Sequence, residues 1–131
     1  MTAPLTTITP DGSARGGVVV IQEAFGVTDH IVDVCRRFAS AGWVTVAPHL
    51  FHRSGNPVID CDDASSVMPL MRTLVATEID TDVDAAFTAL AETGFSPEQT
   101  AIVGFCMGGT VAFQTAVRRP LGAAATSTVA G

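Results

Sequence analysis

A chain of 131 residues, 47% apolar and 15% charged, has the size of one domain and enough apolar side chains for a packed core, which excludes a disordered chain. Seven basic residues, all Arg, stand against 13 acidic ones, a net charge of −6 without a basic run, which argues against nucleic-acid binding. The longest apolar runs are far short of the roughly 20 residues that cross a bilayer, and the N-terminus has no signal-peptide pattern, so no membrane association is expected and the cytoplasm is the default location. Cys35, Cys61 and Cys106 are an odd number without metal-type spacing, and reduced thiols are expected.

In chain order, Thr6 to Thr9 reads as an edge strand and Pro10 to Ser13 as a turn. Gly17 to Gln22 is a continuous β-branched run, as found in strands buried on both faces. Thr28 or Asp29 can cap a helix to about Ala41, because Ile31, Val34, Cys35, Phe38 and Ala41 recur at helical spacing. Trp43 to Ala47 reads as a second buried strand ended by Pro48, and residues 48–62 as a loop. Two helices are predicted next, from Ala64 to Thr77 and from Ile79 to Thr93. Thr100 to Gly104 is a third strand, followed by a helix to about Arg119 and a last strand from Ala123 to Val129. Strands alternating with helices predict an α/β fold with a mainly parallel sheet in a single domain over residues 1–131.

The sharpest motif is Gly104-Phe105-Cys106-Met107-Gly108-Gly109, between a strand and a helix. Gly, any residue, a nucleophile, any residue and Gly at such a junction make a nucleophile elbow. The helix start beneath it favours a thiolate and a developing oxyanion. The residues alone also allow an inert Cys in a tight junction, or a redox-sensing thiol. Glu23, in Gln22-Glu23-Ala24-Phe25-Gly26, follows the first buried strand, at the end where ligands of open α/β sheets bind. Taken alone, a Glu there reads first as an exposed side chain near the next turn.

Val18 to Phe51 and Asp82 to Phe113 resemble the dienelactone hydrolase family of α/β-hydrolases. The shared residues are Gln22 to Val27, Gly42-Trp43 to Pro48-His49-Leu50-Phe51, and the Cys106 elbow. The resemblance implies an α/β-hydrolase fold and acyl transfer on a small ester or lactone, with no metal or organic cofactor. Cys106 is implied as the nucleophile and Glu23 as its partner. The N–H groups of Met107 and Ala24 are implied as the oxyanion hole, and Gly104 and Gly108 as the elbow glycines.

The chain departs from the family in three places. The family's Asp and His follow the strand that begins near Ala123, and neither occurs before Gly131. The N-terminal hairpin is shortened or absent. Ala64 to Met68 occupy the stretch where reference members carry a substrate-binding Arg, and Arg72 is out of alignment. One base lost from codons for a family-like Thr-Phe-Tyr-Gly-Gly-Gly yields Thr126-Ser127-Thr128-Val129-Ala130-Gly131 and a stop. The expectation is therefore the N-terminal portion of a hydrolase, weakly active or inactive and prone to aggregate, with a non-catalytic remnant that binds a partner or small ligand as the alternative. His30, His49 and His52 are expected in surface or structural roles, with His49 the nearest to a substitute base. His49, His52, Asp60, Asp62 and Asp63 have no metal-motif spacing, and Arg118-Arg119 is expected to be solvated at a helix end.

Overall fold

A computed structural model describes residues 3–127 of the chain. Five strands, β1 (Leu5–Ile8), β2 (Gly16–Ile21), β3 (Trp43–Pro48), β4 (Thr100–Phe105) and β5 (Ala123–Ser127), form one sheet in the order β1-β3-β2-β4-β5. β1 pairs antiparallel with β3, and the other pairings are parallel. The edge strand, the buried strands and the mainly parallel sheet are as the sequence predicts. Of the last predicted strand, Thr128 and Val129 lie outside the described residues.

The β-branched run of β2 is buried at every position because both faces of the strand are covered. Val18 and Val20 face helix α1 (Asp29–Ser40), with Ile31, Val34 and Cys35. Val19 and Ile21 face α3 (Ala76–Glu92) and α4 (Met107–Arg118), among Val83, Phe87, Leu90, Val111 and Ala112. Thr28 caps α1 as expected, its Oγ1 accepting from the Ile31 amide at 3.3 Å. Coverage falls toward β5: Ala123 to Thr126 are exposed, as are Phe113 (65%) and Val117 (76%) on α4.

The predicted helix from Ala64 to Thr77 is not continuous. A 3-10 turn, Ala64–Ser66, leads into the short α2 (Val67–Met71), and Val75 is extended before α3 begins at Ala76. Leu74 and Ile79 both pack on the core from either side of that break. Partly burying both apolar side chains offsets the hydrogen bonds that an unbroken, mostly exposed helix would add. Among the described residues no helix is long and apolar enough to cross a membrane.

Candidate active site

The carboxyl ends of β2 and β4 carry the candidate site residues. They are adjacent and parallel, with Ile21 opposite Gly104. Glu23 and Cys106 each lie two residues farther along their chains, so both leave the sheet at the same edge and at the same level. Cys106 is the residue between β4 and α4 and has φ 54° and ψ −119°. A non-glycine residue at positive φ is strained, by ~1–3 kcal/mol in sparsely populated regions. The junction leaves no gentler route. A Cβ on Gly104 would lie inside the Gly108 carbonyl, and one on Gly108 would stand 2.5 Å from the Gln22 carbonyl oxygen and 2.7 Å from that of Ile21. Helix α4 therefore starts directly against the end of β2, with Gly104 and Gly108 at the contact.

The Cys106 amide donates to the Ser127 carbonyl at 2.7 Å, which ties the elbow to β5. Cys106 is exposed, and a depression of about 250 Å³ beside it is lined by Gly109, Thr110, Phe113, Thr126 and Ser127. Met107 is the first residue of α4, where a backbone N–H has no acceptor within its own helix. Glu23 is 4% exposed, which corrects the reading of an exposed side chain. Its carbonyl accepts from the Gly26 amide at 3.2 Å, closing a tight turn that carries Ala24 and Phe25. A larger cavity, about 440 Å³, lies at the amino edge of the sheet by Asp11, Ser13 and Gly42, away from the elbow.

Each histidine has a contact of its own. His49 Nε2 lies 2.7 Å from Thr6 Oγ1 on β1, which β3 and β2 separate from β4 in the sheet order. Burial, then the neighbouring His52, holds the His49 pKa below its ordinary value. His52 is enclosed, its side chain 2% exposed, with Nε2 3.2 Å from Asp82 Oδ1. His30 packs edge-on against Phe105, ring centroids 6.4 Å apart.

Two features escape the sequence reading. Asp82 is fully buried in α3 and takes two bonds from Arg53, at 2.9 and 3.0 Å, beside the His52 contact. A signal existed: Asp82 sits at apolar-stripe spacing between Ile79 and Ala86, where a carboxylate requires a buried partner. Arg118 and Arg119, expected to be solvated, both bond Asp84, at 2.9 and 2.8 Å. Among the described residues there is no group of three or more His, Cys, Asp or Glu placed to hold a metal ion.

A sequence profile of the dienelactone hydrolase family matches residues 5–128. The chain belongs to the dienelactone hydrolase family. A protein of Yersinia pestis named "Putative carboxymethylenebutenolidase" is 37% identical over 107 residues, covering 79% of this chain and 39% of that protein. One of the same name from Methylorubrum extorquens is 34% identical over 112 residues, covering 82% and 38%. The chain thus spans about two fifths of the length of these relatives. Among solved structures, one titled as a putative dienelactone hydrolase from Klebsiella pneumoniae superposes with a TM-score of 0.75 at 29% identity, covering 98% of this chain and 56% of that one. A dienelactone hydrolase-like promiscuous phosphotriesterase from metagenomic libraries gives 0.69 at 26% identity, covering 93% and 58%. The shared fold is that of the α/β-hydrolases.

Proposed function

We propose that this chain carries the nucleophile of a hydrolase that opens small esters or lactones through a cysteine thioester. The observation that supports this best is Cys106 itself: a non-glycine residue at φ 54°, exposed, at the start of a 12-residue helix. Strain of this kind persists where the surrounding backbone enforces it, and here it presents a sulfur above the carboxyl edge of the sheet.

The Cys106 sulfur attacks the acyl carbon while Glu23 takes the thiol proton. The carbonyl oxygen becomes an oxyanion held by the N–H groups of Met107 and Ala24, donors aimed at charge that develops only in the transition state. Collapse expels the alkoxide, which takes the proton, and leaves a thioester at Cys106. Water then attacks the thioester, releasing the acid and restoring the thiol. This reading needs no metal or organic cofactor. No Asp or His occurs after Cys106 in the chain. The chain alone is therefore expected to acylate and then to turn over slowly, because a nucleophile and its base act as a unit.

The test is a rapid-mixing assay of the full chain with p-nitrophenyl acetate, followed by intact-mass analysis. The expected result is a burst of p-nitrophenolate of at most about one equivalent, and an acetyl group on Cys106. Cys106→Ala abolishes both, and Glu23→Gln slows the burst. A burst that survives Cys106→Ala overturns the assignment, and no burst at all favours a non-catalytic remnant.

A further inference from the structure

Gln22 closes the buried run of β2 and is 1% exposed. Its Oε1 accepts from the Leu50 amide at 2.9 Å, and its Nε2 donates to the Glu23 carbonyl at 3.1 Å. Both partners are backbone groups, so the side-chain amide has a single orientation: only its oxygen can face an N–H, and only its nitrogen can face a C=O. The Glu23 carbonyl holds a second bond, from the Gly26 amide at 3.2 Å. That carbonyl and the Ala24 N–H belong to the same peptide unit. The described residues contain no cis peptide, and in a trans peptide the C=O and N–H point in opposite directions. Fixing the carbonyl with two donors therefore fixes the heading of the Ala24 N–H.

We propose that Gln22 is a positioning residue that keeps the Ala24 N–H turned toward the acyl oxygen at Cys106. The inference rests on the acyl-transfer function proposed above. Gln22 does not touch the reacting atoms. It acts through the peptide between Glu23 and Ala24, which has already left the β-ladder; the turn that follows is otherwise tied by the Gly26 amide on the Glu23 carbonyl and by the Ile59 amide on the Phe25 carbonyl, at 2.9 Å. The other end of the Gln22 amide is anchored in the core. Leu50 and Phe51 are 1% and 2% exposed, and the next two residues, His52 and Arg53, both contact the buried Asp82. An oxyanion donor stabilises the transition state only when it is aimed before the reaction begins, and a donor held by rigid backbone needs no reorganisation.

Two variants separate the bonds. Gln22→Glu keeps the acceptor for Leu50 and loses the donor to Glu23; Gln22→Met loses both, and Gln22→Glu carries the comparison should Gln22→Met fail to fold. In each full-length chain, two rates at Cys106 are measured. Acylation by p-nitrophenyl acetate passes through an oxyanion, whereas alkylation by iodoacetamide is a displacement without one. Amide hydrogen exchange at Gly26 is followed in parallel. The expected result is acylation slower by about tenfold or more and alkylation within about twofold of the parent. Gly26 exchange is faster in both variants, because its acceptor is released. Equal loss of both rates would tie Gln22 to the thiol instead of the oxyanion and overturn the inference, as would unchanged acylation. If the parent shows no Cys106-dependent acylation, the proposed function fails by itself. Gly26 exchange then decides for Gln22: unchanged exchange overturns the inference, and faster exchange upholds the pinned peptide.

Discussion

Gly104 and Gly108 meet backbone to backbone across the elbow, with no room for a methyl group on either. The contact presses the start of α4 against the ends of β4 and β2 and forces Cys106 out of the regular backbone regions. Gly104→Ala must push α4 off the sheet edge, since the atoms it meets are main chain and cannot rotate away. The expected loss is about 3 kcal/mol, at the upper end for overpacked sites, read as a fall in the urea midpoint. Gly12→Ala is the control: nothing lies within 4 Å of a Cβ there, and the midpoint stays within about 0.5 kcal/mol of the parent. Equal midpoints for the two variants would contradict the steric origin of the elbow.

The buried carboxylate of Asp82 organises the loop after β3. It binds Arg53 in a fork and also contacts the enclosed His52, whereas Glu78 meets Arg53 at 3.2 Å with its side chain 42% exposed. Asp82→Ala deprives both partners of their acceptor and opens a hole in the core, while Glu78→Ala removes a solvent-screened contact. The drop in urea midpoint is expected to be at least about twice as large for Asp82→Ala as for Glu78→Ala. Comparable drops would mean that solvent screens both contacts alike.

The thiols differ in environment. Burial pushes the Cys35 thiol up to about 11 from an ordinary value of 9.0, and only a weaker backbone hydrogen bond opposes it. Cys61 and Cys106 are exposed. Iodoacetamide at about pH 8 should label Cys61 and Cys106 in the native chain and reach Cys35 only on unfolding, as peptide mass mapping would report. The sign of the pH effect follows from the raised value. The folded state disfavours the Cys35 thiolate, so its contribution to stability is complete below 9.0 and is lost as the pH rises toward about 11. The alkaline fall in unfolding midpoint should be smaller in Cys35→Val, and an unchanged profile would show that Cys35 is not its source.

Much of the fold is legible in the residue order. The β-branched run of β2 and the stripe of Ile31, Val34 and Cys35 on α1 announce their elements because each is buried with its own period. The stretch from Ala64 to Thr77 misleads because its helical composition says nothing of the core that Leu74 and Ile79 reach from either side of a break. Of the candidate site, the elbow is legible because Gly104 abuts the Gly108 carbonyl four residues on, a contact local in the chain, whereas the fit of Gly108 against the Ile21 and Gln22 carbonyls at the end of β2 is not. The burial of Glu23 is not, since burial depends on how distant segments dock, as when the Ile59 amide bonds the Phe25 carbonyl of the same turn.

The sequence by itself determined the alternation of strands and helices, the family and the strained corner at Cys106, because these depend on neighbours along the chain. Only the tertiary structure decided which edge Glu23 and Cys106 share, that Asp82 is the hidden partner of His52 and Arg53, and that the Gln22 amide spans Leu50 and Glu23. Those relations join residues from different elements, and sheet register and helix docking set them through the burial of apolar surface, which has no direction of its own along the sequence.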